Sequence, residues 1–191
     1  MDRRDSLWGL AWLDAPSGSY KGSTREDFIA SAFYAYSTSL VIKAGKVLGE
    51  NVTPYEDLYT RIVTAFRAAY PEYRTQTECI LAAHFQLAPD CQAAADQLAA
   101  MVKQCGVQLQ TGFVGTPYIL HTLSDHGYAE LAYSLLLREE YPSWLYPVTK
   151  GATTIWEHWD GIMPDGNFWS ADMNSYNHYA YGSVADWIYS V

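Results

Sequence analysis

The chain has 191 residues, 49% hydrophobic and 17% charged, with 12 Lys and Arg against 21 Asp and Glu. That length and apolar content suit one folded domain spanning 1–191 and exclude a disordered chain. A net charge of −9 with no basic run excludes a nucleic-acid face and disfavours an anionic membrane. No apolar run approaches the ~18 residues of a membrane span. The N-terminus, MDRRDSLWGLAWLDAP, lacks the apolar stretch of a signal peptide. Cys79, Cys91 and Cys105 make an odd set without metal-ligand spacing. Cys91 and Cys105 fall on one predicted helix roughly 20 Å apart, too far to bridge. They read as buried free thiols, which favours a reducing, cytoplasmic setting.

Residues 1–22 read as loop, broken by Pro16, Gly18 and Gly22. Ser23 and Glu26 form a Ser-x-x-Glu capping box that starts a helix running from Thr24 to Leu48. Gly49 ends it. Thr53 caps a second helix, with Pro54 in its first turn, and Pro71 closes it after Tyr70. A third helix runs Thr75–Leu87, and a fourth from Pro89 or Asp90 to Cys105, with Gly106 as its cap. The Gly-flanked segment TGFVGTPY, 111–118, is a turn before a fifth helix that ends near His126. It is not a phosphate loop, since it lacks the Lys-Ser/Thr and follows no βαβ unit. A sixth helix covers Tyr128–Glu140. Pro142 and Pro147 then break the chain. Residues 152–159 are β-branched and aromatic, and so predicted extended. The stretch 161–175 reads as loop, and a last helix starts near Ser175. Helix pairs on short connections predict an all-α fold of antiparallel hairpins. Such hairpins can ring a central cavity as an (α/α)6 toroid, of which seven helices make a little over half.

Aromatics reach 15%, and five of the seven Trp lie after residue 140. Within 152–182, Glu157 lies between Trp156 and Trp159, and Asn177, His178, Tyr179 and Tyr181 follow about twenty residues later. Apolar sugar faces stack on indoles, hydroxyls bond polar groups, and a carboxylate does proton chemistry, so this composition suits a sugar site. Glu157 is either that catalytic base or a structural acid bonding backbone amides of the next loop. His178 is either a hydroxyl ligand or a core histidine. Asp160 either bonds the sugar or the Glu157 loop, or stabilises the WDG turn as an Asx residue. If 152–159 is extended, Trp159 shares the side of Glu157 and is the cavity residue, while Trp156 faces the core. Neither His121/His126 nor Glu157/His158 has metal spacing, so no metal is expected. No nucleophile elbow is present.

The segments 111–161, containing TTIWEHWDG, and 173–189, MNSYNHYAYGSVADWIY, resemble the α-L-rhamnosidases with an (α/α)6-barrel catalytic domain. REDFIASAFYAYSTSL, 25–40, and TQTECILAAHFQL, 75–87, resemble the corresponding helices. The resemblance covers nearly the whole chain and is to the C-terminal half of that barrel. It implies an inverting hydrolase that removes terminal α-L-rhamnose, without a cofactor. It puts the general base on Glu157 and a sugar contact on His178. A stacking Trp falls on Trp12, although Leu10 and Ala11 stand where the family pattern has Gly and Asp. The family's general acid lies in an acidic segment upstream, and nothing in 1–22 matches it. The isolated chain is therefore expected to be inactive. Its rivals are a non-catalytic carbohydrate-binding module, a half-barrel that assembles with a missing half-domain or as a homo-oligomer, and another (α/α)-toroid hydrolase or lyase.

Overall fold

The computed structural model describes residues 24–168 and 175–191. Its elements are α1 (Glu26–Leu48), α2 (Thr53–Ala69), α3 (Gln76–His84), α4 (Cys91–Gln104), α5 (Thr116–Asp125), α6 (Ala129–Leu136), α7 (Leu145–Thr149) and α8 (Val184–Ser190). A 3₁₀ turn, Ala180–Ser183, precedes α8. No strand occurs among the described residues, so the all-α expectation holds there.

α1 packs on α2, α3 on α4 and α5 on α6, each pair joined by a short connection that forces an antiparallel hairpin. α3 also contacts α1 and α5, so α1, α3 and α5 make one row and α2, α4 and α6 the other. The sequences explain the division. α3 has no one-sided apolar stripe and is buried continuously from Gln76 to Ala83, its polar first turn included, as a helix flanked on every side is. α2 is strongly amphipathic, and Phe66 is its only buried residue. One core gathers Phe28, Phe66, Tyr70, Leu81 and Leu87, with Phe28 edge-on to both Phe66 and Tyr70. The other gathers Leu98, Ile119, Leu123, Trp144, Trp159, Tyr181 and Trp187.

A buried ion pair aligns the inner row. Glu78 is 1% exposed and takes Arg25 through both oxygens, at 2.8 and 3.0 Å, and the Arg74 N–H at 2.7 Å. The starts of α1 and α3 thus lie side by side. The start of α5 joins them, because a Cβ on Gly115 would sit 2.6 Å from Thr77 Oγ1.

Several expected boundaries move. α1 begins at Glu26 behind Arg25, with no side-chain cap, while Ser23 of the predicted capping box lies outside the described residues. Val52, not Thr53, precedes α2, because Asn51 Oδ1 takes the Thr53 N–H at 3.1 Å. Thr75 and Asp90 cap α3 and α4, accepting from Glu78 and Ala93 N–H. α3 stops at His84, short of Leu87, and α6 stops at Leu136, short of Glu140. There Arg138 turns back to the Gly106 and Val107 carbonyls of the α4–α5 connection. The unpredicted α7 forms because Ser143 Oγ accepts the Tyr146 N–H and Pro147 occupies a first turn that needs no donor. Cys79 is buried as expected, but Cys91 and Cys105 are half-buried; all three are free thiols.

Candidate active site

The two polar-aromatic motifs meet at the end of the inner row where α3 and α5 begin. The Glu157 N–H donates to the Ser175 carbonyl at 2.8 Å, and the His178 N–H to the Ile155 carbonyl at 2.8 Å. The Thr154 hydroxyl donates to the Tyr176 carbonyl. These bonds explain why the predicted helix from Ser175 does not form. The Ser175 and Tyr176 carbonyls, which a helix would turn to the N–H groups four residues on, are taken by Glu157 and Thr154, and helical backbone begins only at Ala180. Nor is 152–159 a strand: it bends and turns, and Gly161 N–H closes on the His158 carbonyl at 3.2 Å.

Glu157 is half-buried. Its Oε2 accepts the Ser175 N–H at 3.0 Å, and Oε1 takes no hydrogen bond among the described residues. Among the described residues one oxygen is thus fixed and the other open. His178 is half-buried. Its Nδ1 accepts the Ala180 N–H at 3.3 Å, and its ring lies parallel to Phe113 at 5.0 Å and 8°. Phe113 did not stand out in the sequence; the Gly-flanked TGFVGTPY turn was the signal available.

Trp159 departs from the expected alternation. It is 2% exposed and stacks on Tyr181 at 3.8 Å and 9°, with Trp144 edge-on at 5.3 Å. Its indole N–H reaches the Thr111 carbonyl at 3.4 Å. Trp156 is also buried, edge-on to Tyr176 at 5.2 Å. The turn at 158–161 removes the two-residue alternation on which the cavity assignment of Trp159 rested, so both indoles are core. Asp160 is 2% exposed, within that turn. Trp12 lies outside the described residues. The structure therefore pairs the segments that carry Glu157 and His178, leaves both side chains half-buried, and buries Trp159 and Asp160.

The cavity beside Trp144, Trp156, His158, Trp159 and Tyr181 measures about 40 Å³, well under the roughly 300 Å³ at the small end of ligand pockets. A larger groove of about 420 Å³ lies between α1, α2 and the end of α3, far along the row, and no residue of the two polar-aromatic motifs lines it. Neither Glu157 nor His178 lines the smaller cavity.

Burial lowers the pKa of His158 to about 4, against the smaller raising effect of Glu157. His158 is 1% exposed and neutral at pH 7. Its unfolded pKa is about 6.5, so on acidification the unfolded chain takes up this proton before the folded one. The stability present above pH 6.5 should fall as the pH drops towards 4, by about 3 kcal/mol in all. Urea midpoints measured across that range should show the loss in the parent and not in His158→Gln. Equal slopes in the two would reject the assignment.

Residues 2–191 match the family described as the bacterial alpha-L-rhamnosidase 6 hairpin glycosidase domain. The chain belongs to this family. Its relatives include the α-L-rhamnosidase of Streptomyces avermitilis, 45% identical over 175 residues, which cover 87% of this chain and 17% of that protein. The α-L-rhamnosidase of Formosa agariphila is 39% identical over 191 residues, covering 93% of this chain and 21% of that protein. The six-hairpin fold is shared with solved rhamnosidases. The crystal structure of the Streptomyces avermitilis enzyme complexed with L-rhamnose superposes with a TM-score of 0.85 over 87% of this chain and 17% of that one. The native enzyme of Aspergillus terreus superposes with a TM-score of 0.84 at 35% identity, over 88% of this chain and 21% of that one. The chain thus spans about a fifth of the length of these rhamnosidases. It is a glycoside hydrolase-type domain of rhamnosidase kind, and no described helix is long and apolar enough to cross a membrane.

Proposed function

We propose that the Glu157 segment is the general-base half of an inverting α-L-rhamnosidase site. The observation that carries this reading is the pairing of the 155–157 and 175–178 backbones, which holds a half-open carboxylate next to His178. In inversion, a carboxylate takes a proton from water as that water attacks the anomeric carbon, and a second carboxyl protonates the leaving oxygen from the opposite face. Glu157 Oε1 is the proton acceptor. His178 donates to a hydroxyl of the sugar, and the sugar is rhamnose because a relative of the same fold is solved complexed with L-rhamnose. Trp159 and Asp160 hold the Glu157 turn from behind, and Trp12 contributes a stacking face. The proton donor comes from the upstream part of the family's domain, so the isolated chain binds rhamnosides without turning them over. The site needs no cofactor, and the free thiols suit a reducing, cytoplasmic setting.

The test is hydrolysis of a rhamnoside with a poor leaving group by this chain alone. No turnover is expected. A measurable rate that Glu157→Gln abolishes would show that the acid is already present and overturn the half-site reading.

A second reading, a non-catalytic carbohydrate-binding or partner-assembling half-barrel, is favoured by the outer face of α1. Tyr34, Val41 and Leu48 lie exposed at seven-residue spacing, with Leu40 and Val47 beside them. Such a stripe suits packing against another helix. On this reading the face meets the missing half-domain or a second copy of the chain. Light scattering after size exclusion should then show association. A compact monomer at micromolar concentration would count against obligatory assembly.

A further inference from the structure

The turn before α5 contributes no group to the proposed proton chemistry, yet it is held more rigidly than a plain connection requires. Thr111 Oγ1 and Thr116 Oγ1 are bonded across its base at 2.8 Å. Gly115 leaves no room for a side chain against Thr77 and Thr111. The buried Trp159 indole reaches the Thr111 carbonyl. The turn is thereby fixed to α3, α5 and the tryptophan core together. From this anchored base Phe113 meets two rings, His178 at 5.0 Å and 8°, and Tyr181 at 5.4 Å and 56°.

An imidazole that must donate to one particular hydroxyl needs its ring plane set and its proton placed on one particular nitrogen. The second need is met by the Ala180 N–H, which donates to Nδ1 and so leaves the proton on Nε2. Nε2 has no hydrogen-bond partner among the described residues. The first need falls to a ring contact. Tyr179 also lies parallel to His178, at 5.4 Å, but it is 87% exposed. Phe113 is half-buried and anchored.

We infer that Phe113 is a positioning residue for His178, fixing the imidazole plane so that Nε2–H faces a sugar hydroxyl. The sugar part rests on the reading of His178 as a rhamnose ligand; the ring geometry does not. The experiment is imidazole ¹⁵N–¹H NMR on the 191-residue chain, with Phe113→Leu and Phe113→Tyr, followed by titration with L-rhamnose. In the parent, His178 should show the Nε2–H tautomer, upfield ring-current shifts and cross-relaxation with Phe113. Phe113→Leu should lose those shifts and let the ring turn away from the Ala180 N–H, so that the tautomers mix, and Phe113→Tyr should restore both. Rhamnose affinity should fall roughly threefold to tenfold in Phe113→Leu, the size of one aromatic pair, and recover in Phe113→Tyr. A parent spectrum with Nδ1–H, or without contact between the two rings, overturns the inference even if the leucine variant does not fold. So does a folded Phe113→Leu whose His178 signals match the parent. If the ring signals respond as expected but neither parent nor variant binds rhamnose, positioning by Phe113 stands and the ligand role of His178 falls.

Discussion

Replacing Glu157 by glutamine, in this chain combined with the upstream part of the domain that completes the barrel, is expected to lower kcat on a rhamnoside by about 10²–10⁴-fold. The folded state should survive. Glutamine keeps one carbonyl oxygen of nearly the same shape, so the Ser175 N–H retains its acceptor where Oε2 now takes it at 3.0 Å. What the amide cannot do is accept a proton from water. The loss should therefore appear in kcat with KM changed little, because the interaction removed is made only as the proton moves. Circular dichroism and the urea midpoint should match the parent. An active assembly that tolerates Glu157→Gln would return Glu157 to the structural role that the Ser175 amide alone would justify.

The second large effect is on stability. Trp159→Ala should destabilise the fold by about 3–5 kcal/mol, as truncation of a fully buried large aromatic does. In a domain of this size that lowers Tm by roughly 10 °C. Trp159 touches Tyr181 face to face and Trp144 edge to face, and its indole N–H reaches a backbone carbonyl, so alanine removes contacts on several sides at once. Trp159→Phe keeps part of the stack and should cost less. The same variants decide between core and cavity. A stacking platform for sugar would lose rhamnose affinity with stability near the parent's, the reverse of what the buried position predicts. Thermal unfolding and rhamnose titration, run on both variants, separate the two.

The helical hairpins were legible because local rules speak loudly there. Thr75 and Asp90 are caps whose side chains reach the amide three residues on, and Gly49 ends α1 in a left-handed conformation at φ 73°. The boundaries that moved did so through side chains acting at a distance or just outside the helix. Asn51 took the first amide of α2, and Arg138 was drawn to carbonyls some thirty residues earlier. Glu157 and His178 were legible as residue types in a dense polar-aromatic run. Which oxygen of Glu157 is occupied and which nitrogen of His178 carries the proton were not, since both depend on amides of the other motif or of the following turn.

By itself, then, the sequence determined an all-α chain of paired helices, a rhamnosidase-like pair of motifs, and one carboxylate suited to proton transfer. Caps, periodicity and composition act over a few residues, and a linear reading reaches that far. Only the tertiary structure decided that 175–179 is not helix, that Trp159 is buried against Tyr181 and Thr111, and that Phe113 stands against His178. Each of these turns on a hydrogen bond or ring contact between segments 18 to 65 residues apart, such as Ser175 with Glu157, or Phe113 with His178. Burial and pairing at that separation are properties of the packed chain, and they override the two-residue alternation and the helix propensity that the same residues show in isolation.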